Sequence, residues 1–167
     1  TDHLRSLTEE FFRTSAVLAA EEPEPAEPVS LNRAVEESLA AWYGVLSARG
    51  IAPEVELPET PVVRPLNREA VSRILSNVLS NAARYSPGDL RIVLEENGTL
   101  TFSNAAPSLT PVLAERLFDR YFTVESGGQG TGLGLSIARR LTEQMGGTAA
   151  AGWQAGILTV RLYFPGK

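Results

Sequence analysis

Leu4, Leu7, Phe11, Val17 and Leu18 recur near one face at helical spacing, and no Gly or Pro interrupts residues 1–20, so the pattern predicts a helix there. A helix this short is not stable alone and is expected to pack on something. Residues 21–28 (EEPEPAEP) follow. Proline fixes φ and lacks an amide proton, so this segment is predicted to be an extended linker and the chain's one boundary. Val29-Ser30-Leu31 reads as a short strand, and Asn32 as the cap of a helix running to about Ala48 and stopping at Gly50. Val35, Leu39, Trp42 and Leu46 would form its apolar face. Val55 and Leu57 alternate with Glu54 and Glu56, a strand pattern.

Asn67 is placed to cap a long helix over 68–85, ended by Ser86-Pro87-Gly88. Leu90, Ile92 and Leu94 recur at alternate positions with charged Arg91 and Glu95 beside them, Asn97-Gly98 is a hairpin signal, and residues 100–103 are predicted to form the returning strand. A short helix is predicted at about 111–118, and a Gly-rich stretch, 127–134, opens another that runs to about Met145. Two β runs, 148–153 and 157–164, close the chain. These elements predict an α+β two-layer sandwich, a mixed β-sheet with helices on one face, preceded by the short N-terminal helix. The expected division is 1–20 helix, 21–28 linker and 29–167 principal domain.

Composition narrows the chemistry. The chain has 167 residues, 43% of them hydrophobic, enough to bury a sizeable core. With no cysteine, disulfides, thiolate catalysis and cysteine zinc sites are excluded, and the single histidine, His3, rules out His-rich metal centres. A net charge of -5 argues against a nucleic-acid partner, whose phosphates call for a basic face. No apolar stretch approaches the roughly 20 residues that span a bilayer, and no signal peptide is evident. A start at Thr1 rather than Met is expected of a fragment.

Two patterns carry candidate chemistry. In GGQGTGLGLSIARRLTEQMGG, glycines at 127, 128, 130, 132 and 134 run into a helix with Leu135, Ile137, Ala138 and Leu141. Free amides at a helix start, with the positive end of its dipole, suit phosphate; a flexible loop before a buried helix explains the same residues. The stretch fits neither the P-loop nor the Rossmann template. In SNVLSNAARYS, Asn77 and Asn81 are four apart and share a helix face. Two amide oxygens there can hold a hard cation such as Mg²⁺ with phosphate and water oxygens. Arg84, one turn on, can reach phosphate, and Tyr85 can pack on a base. Two satisfied polar residues on an ordinary helix are the plainer explanation of the pair alone.

Together, Asn77-x-x-x-Asn81-Ala82-x-Arg84-Tyr85, then Leu117-Phe118-Asp119-Arg120-Tyr121-Phe122, then Gly130-Thr131-Gly132-Leu133-Gly134-Leu135-Ser136-Ile137 resemble three ordered boxes of bacterial sensor histidine kinases. The resemblance is to the catalytic, ATP-binding domain of the GHKL superfamily and covers about 29–165. It implies a Bergerat fold holding ATP with Mg²⁺. It implies that Asn81 holds the metal, that Asn77 supports the metal and phosphate site, and that Arg84 touches phosphate. Gly130, Thr131, Gly132 and Gly134, with the amides of Leu133 and Leu135, would surround the triphosphate. Phe118 and Phe122 would anchor a lid between about Ala105 and Gln129, although plain core packing explains them equally. Arg120 would be a second phosphate contact, and Thr159 would lie near the adenine.

The chain departs from that pattern in three places. Where the family reads D-x-G-x-G against adenine, this chain has Ser103-Asn104-Ala105-Ala106-Pro107; Asn104 can still accept a hydrogen bond but is uncharged. Ser76 precedes Asn77 where many relatives carry a Glu that activates water, which implies weak ATP hydrolysis. His3, in DHLRSL, does not match the family's phospho-acceptor setting. The resemblance therefore implies a kinase that transfers the γ-phosphoryl of ATP to a histidine on a dimerisation domain absent here, and onward to a response regulator. The fragment would be cytoplasmic, from an inner-membrane sensor. The rival expectations are a nucleotide-free scaffold and another GHKL enzyme, such as an anti-sigma-factor kinase.

Overall fold

The computed structural model describes residues 26–117 and 134–166. Among these residues, four helices and seven strands follow in the order β1 (Glu27–Ser30), α1 (Leu31–Ala48), β2 (Ala52–Glu56), β3 (Val63–Leu66), α2 (Arg68–Tyr85), β4 (Asp89–Leu94), β5 (Thr99–Ala105), α3 (Pro111–Glu115), α4 (Gly134–Gln144), β6 (Thr148–Gln154) and β7 (Ile157–Tyr163). The main sheet has five strands in the order β2-β4-β5-β7-β6. β2 runs parallel to β4 and every other pair is antiparallel, which makes the sheet mixed, as expected. Alternation along β4, β5 and β7 buries Leu90, Ile92, Leu94, Leu100, Phe102, Leu158, Val160 and Leu162 on one face. Helices α2 and α4 pack against each other; α2 rests on β5 and α4 on β6. That layer joins the strand side chains in one core with Val71, Ile74, Leu75, Val78, Leu79, Leu135, Ala138 and Leu141.

Turn and cap chemistry sets most boundaries where the sequence places them. The Asn67 side chain accepts from the Ala70 amide at 2.8 Å and starts α2. At the β4–β5 hairpin, Gly98 has φ +95°, and an added Cβ would collide with the carbonyl oxygen of Phe164. At the β6–β7 turn both Ala155 and Gly156 have positive φ, the conformation of a tight primed hairpin.

Four details differ from expectation. β1 starts at Glu27, inside the segment read as linker, and pairs with β3 so that Pro28 faces Pro65 in a separate two-stranded sheet. Proline's missing N–H is tolerated in such edge pairs, and for the same reason the Pro-flanked β3 gives no strand signal. Leu31, read as the end of a strand, is the first residue of α1, and Ser30 caps that helix by accepting from the Arg33 amide at 3.2 Å. Asn32, expected as the cap, is buried; it accepts from the Val62 amide at 2.8 Å and donates to the Pro58 carbonyl at 2.9 Å. β2 stops at Glu56, one residue before Leu57. The predicted N-terminal helix, residues 1–20, lies outside the described residues.

Because Asn32 ties α1 to the 58–62 connection with a buried donor and acceptor, Asn32→Ala leaves the Val62 amide unpaired. A loss of about 2 kcal/mol in chemical denaturation is expected.

Candidate functional site

Helix α2 buries Val71, Ile74, Leu75, Val78, Leu79, Ala82 and Ala83. Positions 77 and 81 fall on a shared stripe at its border, and both asparagines are half-buried. The Nδ2 atom of Asn77 is buried and has no hydrogen-bond partner; among the described residues it is the one such side-chain atom. A buried amide donor without a partner costs about 1–3 kcal/mol, so its place in a folded protein asks for a reason. The start of α4 comes to this same spot: a Cβ at Gly134 would lie 4.0 Å from the Asn77 Cβ. Gly134 and buried Leu135 are the first described residues of α4. Gly134, the last residue of the Gly-rich stretch, and Asn77, far apart in the chain, thus meet at one place.

Asn104 lies on β5, the strand against which α2 packs, and is only 4% exposed. Its Nδ2 donates to the Ala105 carbonyl at 2.8 Å, which leaves Oδ1 as the atom able to accept from a ligand. The chain leaves β5 without the family's glycines. Ala106, fully buried, donates its amide to the Gly156 carbonyl at 2.8 Å, and its carbonyl accepts from the Trp153 indole at 3.0 Å.

Other sequence-derived candidates fall as follows. Arg84 is half-buried in the last turn of α2, and Tyr85, 6% exposed, is part of the core. Ser76 points toward α1, where its Oγ accepts from the Trp42 indole at 3.0 Å. Thr159 pairs with Ser103, whereas Asn104 pairs with Leu158. Side chains alternate along a strand, so Thr159 lies on the face opposite Asn104 and is not brought to it. Phe118, Arg120, Phe122, Gly130, Thr131, Gly132 and Leu133 lie outside the described residues. A cavity of about 120 Å³ lies between α1 and α2, lined by Val29, Trp42, Val71 and Ser76 among others, away from Asn77.

Sequence reasoning missed Asp89, Ser86 and Trp153. The Asp89 carboxylate accepts from the Ala105 amide at 2.9 and 3.0 Å, and Ser86 Oγ donates toward the Asp89 backbone carbonyl and toward Oδ1, at 3.0 Å from the latter. Ser86-Pro87-Gly88-Asp89 reads locally as a turn, and Asp89's partner lies 16 residues away, so no short-range signal marks it.

Among the described residues no three of His, Cys, Asp and Glu converge as a metal site. A cation at Asn77 and Asn81 would take amide, phosphate and water oxygens, a donor set that suits Mg²⁺.

The chain belongs to the histidine kinase-, DNA gyrase B- and HSP90-like ATPase family, whose model matches residues 66–166. It is 31% identical over 156 residues to the sensor histidine kinase YcbM of Bacillus subtilis, covering 88% of this chain and 50% of the relative. The chain thus spans half the length of that curated relative. Among solved structures, the Acinetobacter baumannii histidine kinase AdeS superposes with a TM-score of 0.79 at 24% identity, over 98% of this chain and 79% of that one. Full-length ShkA in complex with AMPPNP gives 0.75 at 24% identity, over 99% and 37%. The α+β mixed-sheet fold is that of histidine kinase ATP-binding domains.

If the Asn77 amide serves a ligand rather than the fold, Asn77→Leu removes an unpaired buried donor and should leave stability unchanged or raise it by about 1 kcal/mol. Thermal unfolding of the ligand-free chain measures this.

Proposed function

We propose that this chain is the ATP-binding kinase domain of a two-component sensor, using Mg-ATP to phosphorylate a histidine on a dimerisation domain of its own parent protein. The observation that carries the reading is the unpartnered, buried Asn77 amide beside Gly134, on the same helix as Asn81. Asn81 would hold Mg²⁺, which when bound neutralises phosphate charge. Asn77 orients that site, and the amides that open α4, with Gly130, Thr131, Gly132 and Leu133 before it, bind the triphosphate. Arg84 and Arg120 add charge against phosphate, and Phe118 and Phe122 anchor the lid. Asn104 Oδ1 accepts from the exocyclic amine of adenine. The fold likeness to ShkA, solved with the ATP analogue AMPPNP, supports this choice of ligand.

In the reaction an imidazole nitrogen of the acceptor attacks the γ-phosphorus. A P–N bond forms, the P–O bond to ADP breaks, and ADP carries away the electron pair. Such a transfer asks mainly for positioning and charge neutralisation from the protein. Ser76 suits this role. It offers no carboxylate to activate water, and its hydroxyl is engaged by Trp42. The phosphoryl group then passes to an aspartate of a response regulator. The parent protein would be an inner-membrane sensor of a bacterium with this domain on the cytoplasmic side; no described helix is long and apolar enough to cross a membrane. His3 lacks the acceptor setting, so the chain alone is expected not to phosphorylate itself.

Titration calorimetry with AMPPNP, with and without Mg²⁺, is expected to give magnesium-dependent binding that Asn81→Ala abolishes while the fold persists. Absence of binding would favour a nucleotide-free scaffold. An unchanged magnesium dependence in Asn81→Ala would overturn the role given to that residue.

A further inference from the structure

Asn104 is useful to a nucleotide only if its amide is held with Oδ1 directed outward, and a neutral amide gains less from each bond than a carboxylate does. Its orientation is fixed through its neighbour. Asn104 Nδ2 donates to the Ala105 carbonyl at 2.8 Å, so the side chain is as steady as the Ala105 backbone. That backbone lies at the end of β5, where the Cα register with β4 runs out after Arg91↔Ser103. The Ala105 amide is taken instead by the Asp89 carboxylate, with both oxygens, at 2.9 and 3.0 Å. Asp89 is in turn held by the Ser86 hydroxyl, which sits immediately after the last residue of α2 and whose oxygen accepts from the Gly88 amide at 3.0 Å.

From this chain of contacts we infer that Asp89 is a positioning residue for adenine recognition, bracing the Asn104 amide through the Ala105 backbone and fixing it relative to the helix that carries Asn77 and Asn81. The inference rests on the proposed nucleotide reading. On the far side the same segment is tied by Gly156, in the β6–β7 turn, and by Trp153 on β6, so the Ala105–Ala106 stretch is held from both sides. Those two bonds go to Ala106. Ala105, the residue that orients the reader, stands opposite Ile157 in the β5–β7 register, and the side chains bonded to its backbone are those of Asp89 and Asn104. An ionised acceptor makes this the stronger kind of hydrogen bond, and a one-residue connection to Asn104 passes its geometry on directly.

The test uses the whole 167-residue chain and Mg²⁺ with AMPPNP or its guanine counterpart, by calorimetry. Asp89→Ala is expected to weaken AMPPNP about tenfold, the size of one charge-assisted hydrogen bond, and to narrow the preference for adenine over guanine. Asp89→Asn keeps an acceptor for the Ala105 amide and should recover most of the affinity. In an Asn104→Ala background Asp89→Ala should cost nothing further, because the residue it positions is gone. Should Asp89→Ala fold poorly, Ser86→Ala loosens the brace while leaving the carboxylate and should show the same selective, Asn104-dependent loss. Two results would overturn the inference: equal weakening of adenine and guanine analogues, or a loss that persists without Asn104. Wild-type chain that binds neither analogue would overturn the nucleotide reading itself and the inference with it.

Discussion

Helix α2 is confined on three sides, by α1, α4 and strand β5, and that confinement organises the rest of the molecule. Its apolar stripe must be buried, which leaves a border on which anything polar is either paired or committed to a ligand. Asn77 stands on that border with a buried amide that no protein group satisfies. Because α4 begins at Gly134 against the same residue, the packing of α2 on α4 sets the start of that helix beside Asn77. Stability and site are therefore coupled: the packing that buries Val78 and Leu79 also presents Asn77 and Asn81.

The exit from β5 is held by bonded backbone rather than by glycines. Glycines at such a place let a chain turn closely past a ligand. Here Ala105 and Ala106 occupy the segment, and its backbone groups are secured by side chains and by the Gly156 carbonyl of the β6–β7 turn. Burial of Asn104 at this point costs an amide its water, which the bond to Ala105 partly offsets. Rigid bonding of the backbone takes over from conformational freedom, and in the proposed reading the neutral Asn104 amide is kept in place by the charged Asp89.

Local chemistry made much of this legible in advance. Asn67 as a cap, Asn97-Gly98 as a hairpin and Ser86-Pro87-Gly88 as a helix stop each act within three or four residues, so the order of the described helices and of the strands other than β3, and the mixed sheet, could be read from the chain. The asparagine spacing and the Gly-rich helix start were equally local. What escaped depends on pairing at a distance. Asn32 finds its partners 26 and 30 residues away, so its capping look was misleading once Ser30 took the cap. β3 hides behind Pro61 and Pro65. Thr159 falls on the wrong face because only the β5–β7 register, with Asn104 opposite Leu158, decides which side it takes. Asp89 is invisible for the same reason.

The central claim is that Asn77 and Asn104, on different elements and 27 positions apart, belong to one nucleotide site. Side-chain amide resonances of ¹⁵N-labelled chain, followed while AMPPNP and Mg²⁺ are added, test it most directly. The account predicts that the NH₂ groups of Asn77 and Asn104 shift together along one saturation curve, while that of Asn32, which is tied to Pro58 and Val62, stays still. Shifts confined to the α1–α2 cavity around Trp42 and Ser76, or two asparagines saturating at different concentrations, would contradict it.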